Sequence, residues 1–371
     1  MKKIGIFTFH NVPNYGAVLQ AYSLKEYLEK ILNREVCIID FQCQGNDSSF
    51  EVKEIENKIE NSDDFIIKKW IKLQLFRMFA KKEYSEKLKK FCAFRRKYLN
   101  IDSKLDSLKN DYELFVCGSD QIWNLNITNG FQDYYFGANE NQRDVKTISY
   151  AASCGNIEEV YANERQFFQL LGKLYKISVR EKSLNNYLVE NNIESKCTVD
   201  PTFLLSKGEY VNNFSLSKND EKYILVYELQ QNKKMRDVAS RVARLLNLPV
   251  ICISGYMPRS KHKKNEMFAA SPEEFLDLFY NAEYIVTNSF HGLAFSLIFE
   301  KNFNVVMPKS RGSRLVDLLK KTGLENRIYH EENMHTEDIN YIEVNELLQE
   351  YIEDSKEYLS NIVREINDGA V

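Results

Sequence analysis

The stretch Glu283-Tyr-Ile-Val-Thr-Asn-Ser-Phe-His-Gly-Leu-Ala-Phe-Ser-Leu-Ile-Phe299 reads as strand, tight turn and helix. Tyr284, Ile285 and Val286 form a short apolar run of strand formers. Thr287, Asn288 and Ser289 are residue types that cap helices, and Gly292 permits close backbone approach. Leu293 to Phe299 then supplies the apolar side of a buried helix. His291 therefore sits where a strand ends and a helix begins. Ligands collect at the carboxyl ends of strands in open α/β sheets, and helix N-termini attract anions. An imidazole placed there suits acid/base work on a phosphorylated or carboxylated substrate. The local residues equally allow His291 to cap or pack.

Outward from this stretch the same alternation continues. Strands are expected at 223–228, 249–253 and 303–307, with helices at 231–247 and 272–281. At the other end, Lys3–Phe9 reads as a strand, His10–Gly16 as a polar turn, Ala17–Leu32 as an amphipathic helix and Val36–Asp40 as a strand. Strands follow at 113–117, 145–151 and 176–180, with helices at 158–172 and 181–192. The fold class is α/β, with two doubly wound units. The boundary is expected at Ser206–Glu221, which lacks a long apolar run. The expected domains are 1–210, with a helical insertion at about 45–110, and 211–345, followed by a charged C-terminal helix over 346–371 that crosses back to the first domain.

The length of 371 residues suits two domains, and 44% hydrophobic content is ample for two cores. A formal net charge of −3 gives no global sign of a nucleic-acid partner. The cysteines, at 37, 43, 92, 117, 154, 197 and 252, make no CxxC pair, so neither a zinc site nor a disulfide framework is expected. That usage suits reduced thiols in a cytoplasm. The N-terminus lacks the apolar core of a signal peptide, and no run approaches the ~20 apolar residues of a membrane span.

Residues 65–99 carry twelve Lys and Arg against two Glu, interleaved with Phe65, Ile66, Ile67, Trp70, Ile71, Phe79, Phe91 and Phe94. A basic helix with a broad apolar face suits the surface of an anionic membrane, and a helical pair packed on the domain with a solvated basic side is the plainer alternative.

Several turns after strands carry site candidates. Asn14, Tyr15 and Gly16 follow the first strand without a GxGxxG fingerprint. Ser119, Asp120 and Trp123 follow the strand at 113–117: Asp120 suits a base or a cap, Trp123 a sugar-stacking face or a core plug. Arg180 ends a strand, where a guanidinium clamps a carboxylate or phosphate or pairs with Glu181 or Asp200. Basic loops lie at 255–264 and 308–314, the second holding Arg311 and Arg314.

Taken in order, Asn14-Tyr-Gly-Ala-Val-Leu-Gln-Ala-Tyr-Ser-Leu24, Gly118-Ser-Asp-Gln-Ile-Trp-Asn124, Ile148-Ser-Tyr-Ala-Ala-Ser-Cys-Gly155, Ile177-Ser-Val-Arg-Glu181, Val199-Asp-Pro-Thr202 and Asn288-Ser-Phe-His-Gly292 resemble the polysaccharide pyruvyl transferase family. The resemblance implies two Rossmann-like domains facing across a cleft, similar to glycosyltransferase-B enzymes. It implies transfer of pyruvate from phosphoenolpyruvate, a co-substrate, to a sugar of a cell-surface polysaccharide or its precursor, forming a ketal and releasing phosphate. No metal cluster shows in the residues, no cofactor is expected, and docking of residues 65–99 on membrane would make the acceptor a lipid-linked saccharide. On the resemblance, His291 matches the family's catalytic histidine and Arg180 a donor-binding arginine. Members of the family often carry arginine where this chain has Ser289, so Arg311, Arg314 or the 261–264 lysines are candidates for the missing donor-binding charge, beside Ser289 and Gly292 themselves. Asp120 is the candidate to orient or deprotonate the acceptor hydroxyl, and Asn14, Tyr15, Gly16, Ser119 and Trp123 are candidates on the acceptor side. The expected location is the cytoplasm, with peripheral contact at the inner face of the membrane through residues 65–99. A nucleotide-sugar-dependent glycosyltransferase and a non-catalytic glycan-binding relative are the alternatives on the same architecture.

Overall fold

The computed structural model describes residues 2–42, 66–104, 111–142, 144–255, 265–308, 312–330 and 335–368. The first sheet holds β1 (Lys3–Phe7), β2 (Val36–Ile39), β3 (Ile101–Asp102), β4 (Tyr112–Cys117) and β5 (Lys146–Ser149), in the order β3-β2-β1-β4-β5. A two-stranded pair, β6 (Ser178–Val179) and β7 (Lys196–Cys197), lies beside it through bridges from Ile148 and Ala152. The second sheet holds β8 (Ile224–Glu228), β9 (Val250–Ser254), β10 (Glu266–Met267), β11 (Tyr284–Thr287) and β12 (Asn302–Val305), in the order β10-β9-β8-β11-β12. Every pairing in both sheets is parallel.

The two sheets thus share one topology, the Rossmann-like arrangement expected from the alternating pattern. In each, the strand order reverses between the first and fourth strands, which opens a crevice at their carboxyl ends. The central strands are apolar on both faces because helices cover both sides: Ile4, Ile6, Val116, Ile285 and Val286 are fully buried.

Helix α1 (Tyr15–Leu32) starts where the Asn14 side chain accepts from the Ala17 N–H at 3.3 Å, and it ends at Asn33 in the left-handed region. The basic segment is one continuous helix, α2 (Ile66–Tyr98), rather than a helical pair. Its buried side includes Leu73, Lys87, Phe91 and Phe94. The helix expected over 158–172 is two, Ile157–Ala162 and Glu164–Leu171, divided at Asn163. The polar segment expected as a linker contains helix α3 (Lys207–Phe214). Ser206 and Glu209 form a reciprocal capping box there, and Tyr210 and Phe214, one turn apart, are both buried.

Further along lie helices α4 (Pro272–Asn281), α5 (Phe290–Ile298), α6 (Ser313–Lys321) and α7 (Tyr341–Asn367). One apolar core runs from the first sheet into the second through α1 and α4. Tyr15 stacks on Phe275 with centroids 4.5 Å apart, and its hydroxyl donates to the Ala270 carbonyl at 2.9 Å. Helix α7 touches both halves. The Tyr341 hydroxyl donates to the Lys301 carbonyl at 2.6 Å, and further along Ser355 accepts from the Val199 N–H at 2.9 Å and Tyr358 donates to the Ser149 carbonyl at 3.0 Å. No helix among the described residues is long and apolar enough to cross a membrane.

Candidate active site

His291 is the second residue of α5, immediately beyond β11. The turn that presents it is fixed from below. Thr287 Oγ1 donates to the Tyr227 carbonyl at 2.9 Å and accepts from the Ser289 N–H at 3.1 Å. Asn288 ties the turn to the residues just past β8, accepting from the Leu229 N–H at 2.8 Å and donating to the Gln230 carbonyl at 2.7 Å. A Cβ at Gly292 would lie 2.1 Å from Thr287 Oγ1, so only glycine fits there. Ser289 is buried at the N-cap and makes no side-chain cap, which leaves the first N–H groups of α5 directed forward. Gly16, in the first turn of α1, lies under the imidazole: a Cβ there would fall 1.9 Å from His291 Nδ1. The opposite edge of the ring, Nε2, faces Asp200 Oδ2 at 3.7 Å.

Around this histidine the fold gathers charges from distant parts of the chain. Arg180, after β6, donates from Nη1 to Asp200 Oδ2 at 2.6 Å and from Nη2 to Asp120 Oδ1 at 3.4 Å. Arg314, the second residue of α6, brings Nη1 to 4.0 Å from Asp120 Oδ1. Both guanidiniums pack on the Phe290 ring, with Cζ 5.1 Å and 5.6 Å from its centroid. The N-terminus of α6 also lacks a side-chain cap. Two helix N-termini therefore meet at the Phe290 ring, each with an arginine beside it, which is a setting for an anion. Burial and the neighbouring Arg180 push the Arg314 guanidinium down to about 10, which leaves it charged at neutral pH.

Asp200 is fully buried. Its Oδ1 accepts from the Thr202 N–H at 3.0 Å and hydroxyl at 2.8 Å. Burial alone would push this carboxyl up; the facing His291 imidazole, the Arg180 guanidinium and the Thr202 N–H hold it well below the usual carboxylate range. Glu181 is also buried, and one of its oxygens accepts from the Ser153 hydroxyl. Four buried polar atoms in this cluster have no hydrogen-bond partner: His291 Nε2, Arg180 Nε, Arg314 Nε and Glu181 Oε2. Leaving such groups unmet costs about 1–3 kcal/mol each, so their concentration at one place marks a site that a ligand or water completes.

Of the residues singled out in the sequence, His291, Arg180, Asp120, Arg314, Ser289, Gly292 and Gly16 come together here. The others do not. Trp123 is buried in the core, stacked on Phe136 at 5.1 Å, and its indole N–H donates to the Tyr135 carbonyl at 3.0 Å, which leaves no face for a sugar. Tyr15 is spent on the α1–α4 contact. Ser119 is fully buried; its hydroxyl donates to the Ala151 carbonyl at 3.0 Å and its N–H to Gln20 Oε1. Asn14 is half-buried and caps α1. Arg311 and the lysines at 261–264 lie outside the described residues. Among the described residues, no group of three or more His, Cys, Asp or Glu side chains is arranged to hold a metal ion.

In the sequence Asp200 stands out as a salt-bridge partner for Arg180 and within the Val199-Asp-Pro-Thr202 motif, with no role at the site, and Phe290 does not stand out. The signal for Asp200 is Asp200-Pro-Thr202, an Asx-type turn in which a short acid bonds the backbone two residues on.

The chain matches the polysaccharide pyruvyl transferase family over residues 14–310, most of its length, and belongs to that family. It is accordingly a transferase. No curated protein matches it in sequence. Among solved structures it is similar to a Staphylococcus aureus MnaA–UDP complex, at 14% identity and TM-score 0.45, covering 97% of this chain and 90% of that one. It is also similar to a Neisseria meningitidis UDP-GlcNAc 2-epimerase bound to UDP-GlcNAc, at 11% identity and TM-score 0.45, covering 98% and 94%. A third is the spinosyn forosaminyltransferase SpnP, at 11% identity and TM-score 0.40, covering 99% and 95%.

Proposed function

We propose that the protein transfers pyruvate from phosphoenolpyruvate to two hydroxyls of a sugar, forming a ketal and releasing phosphate. The observation that carries this reading is His291 flanked by the Arg180 and Arg314 guanidiniums, each with a buried, unpartnered Nε. The two arginines and the uncapped starts of α5 and α6 hold the donor's carboxylate and phosphate. His291 delivers a proton to the methylene carbon, and C2 becomes oxocarbenium-like. The first sugar hydroxyl adds to C2, giving its proton to Asp120. Phosphate departs with its bonding pair, and the second hydroxyl adds in its place. One hydroxyl proton thus balances the proton placed on carbon and the other leaves with phosphate. General acid catalysis of this kind contributes about 10²–10⁴-fold.

The test is phosphate release from phosphoenolpyruvate across a panel of sugar acceptors, with His291→Ala as control. Acceptor-dependent release that the variant lacks supports the reading. Release of a nucleoside diphosphate from a nucleotide sugar, with no dependence on phosphoenolpyruvate, would replace it with glycosyl transfer.

A lipid-linked acceptor fits the same reading. The solvent side of α2 carries Ile71 and Met78, which are 46% and 70% exposed, in line with exposed Lys82, Lys89 and Arg96. Exposed apolar side chains followed by a basic row suit an anionic membrane surface. Co-sedimentation with vesicles should require anionic lipid and weaken with salt; equal binding to neutral vesicles would remove the idea.

A further inference from the structure

We propose that Asp200 is the positioning residue of His291, fixing the imidazole with Nε2–H turned inward so that Nδ1, the edge over Gly16, is the nitrogen that delivers the proton. This rests on the acid role given to His291 above.

Asp200 has little freedom. Its side chain is fully enclosed, and Oδ1 is occupied twice by Thr202. Only Oδ2 answers to other charges, and it faces Arg180 Nη1 at 2.6 Å and His291 Nε2 at 3.7 Å. With its carboxyl held well below the usual range, Asp200 is an acceptor only. The ring nitrogen facing it therefore carries the proton, because a lone pair aimed at a buried carboxylate is repelled. At 3.7 Å Nε2 makes no hydrogen bond to this oxygen, so the pairing is electrostatic, and Oδ2 is the charged atom that it faces.

That leaves Nδ1. It lies against Gly16, on the first turn of α1, which belongs to the sheet opposite the one that carries His291. The working nitrogen thus lies on the side of the ring that meets α1 of the first sheet. Asp200 has a second task. His291 is the second residue of α5, and a fixed carboxylate behind the ring balances the partial positive charge of that helix end. The charged groups gathered around the pair are Arg180 and Glu181 beyond β6, Asp120 beyond β4 and Arg314 on α6; α1 contributes Tyr15 and Gly16, which bring no charge.

The orientation of a general acid by a buried carboxylate is worth a large factor because it selects the tautomer. Asp200→Asn keeps the size and the Thr202 contacts while removing the charge. It should lower kcat by ~10²–10⁴-fold and move the alkaline limb of the kcat/KM profile to lower pH. A readout independent of turnover is nitrogen NMR of histidine-labelled protein, with the His291 signals assigned through His291→Gln. The wild type should show the neutral ring as the Nε2–H tautomer, and Asp200→Asn a mixture. If Asp200→Asn does not fold, Thr202→Val, which frees the carboxylate without removing it, should move the same signals and the same limb by less.

An Nδ1–H tautomer in the wild type overturns the proposal. So does a variant whose loss lies wholly in the donor KM with an unchanged pH profile, since Asp200 would then serve Arg180 alone. If the wild type releases no phosphate from phosphoenolpyruvate, pyruvyl transfer fails as the reaction, while the tautomer measurement still decides the role of Asp200.

Discussion

The turns after β4 and after β11 occupy the same place in the same topology, each following the fourth strand of a β3-β2-β1-β4-β5-type sheet, yet they are built in opposite ways. After β11 the chain runs straight into a nine-residue helix, and His291 is presented by packing: Thr287, Asn288 and Gly292 lock the turn from within its own domain. After β4 the backbone departs from ordinary geometry, with Gly118 at φ 126° and Asp120 at φ 64°. Asp120 is held there by Arg180 and Arg314, which come from elsewhere in the chain. The difference teaches that one turn carries a group whose position is fixed before any ligand arrives. The other carries a group whose position depends on Arg180 and Arg314, the arginines proposed to hold the donor.

Removing the imidazole gives the largest effect. His291→Ala should reduce phosphate release by about 10³-fold or more while leaving the melting temperature near that of the wild type. Next comes Gly16→Ala, which alters no functional group but places a methyl where the imidazole edge lies. It should lower kcat by ~10²-fold, as misplacement of a reacting group by about 1 Å does. A wild-type rate in this variant would show that the ring is free to move, and the contrast between the turns would fall.

Asp120→Asn probes the other turn. Asparagine tolerates the left-handed backbone as aspartate does, so the fold should hold. Turnover should drop by about 10-fold to 10²-fold, with a weaker dependence on donor concentration than Arg314→Ala shows.

Acid stability separates Asp200 from the exposed carboxylates. Its folded value is depressed, so its contribution is fully present above the unfolded aspartate value of about 3.9 and is lost as pH falls below it. Urea midpoints measured from pH 7 down to pH 3 should fall less steeply at the acid end in Asp200→Asn than in the wild type. The smallest effect is expected at Trp123→Phe, which keeps the stack on Phe136 and loses one hydrogen bond. It should cost about 1–2 kcal/mol of stability and leave kcat and KM unchanged.

Much of this was legible in the residues. The apolar run 284–286, the capping types at 287–289 and Gly292 give strand, turn and helix because each local preference agrees with the next. Arg180, Asp120 and His291 share the feature of standing just past a strand, which is enough to bring them to one crevice. Trp123 and Tyr15 share it too and point into cores. Whether a side chain after a strand faces the cleft or the interior depends on backbone angles in the turn, and residue type does not carry those. The two-residue strands β3 and β10 are too short for any periodicity to show. Helix α3 escaped because its residues are polar, although Ser206 and Glu209 already spell a capping box. Asp200 reads as a turn before a proline, and only the tertiary fold puts it behind His291.

Binding of phosphoenolpyruvate, followed by calorimetry without any acceptor, tests the central claim most directly. The account predicts binding to the wild type, binding retained in His291→Ala, and binding lost in a folded Arg180→Ala/Arg314→Ala double variant. Absence of binding to the wild type, or equal binding to the double variant, would contradict the placement of the donor between these two arginines.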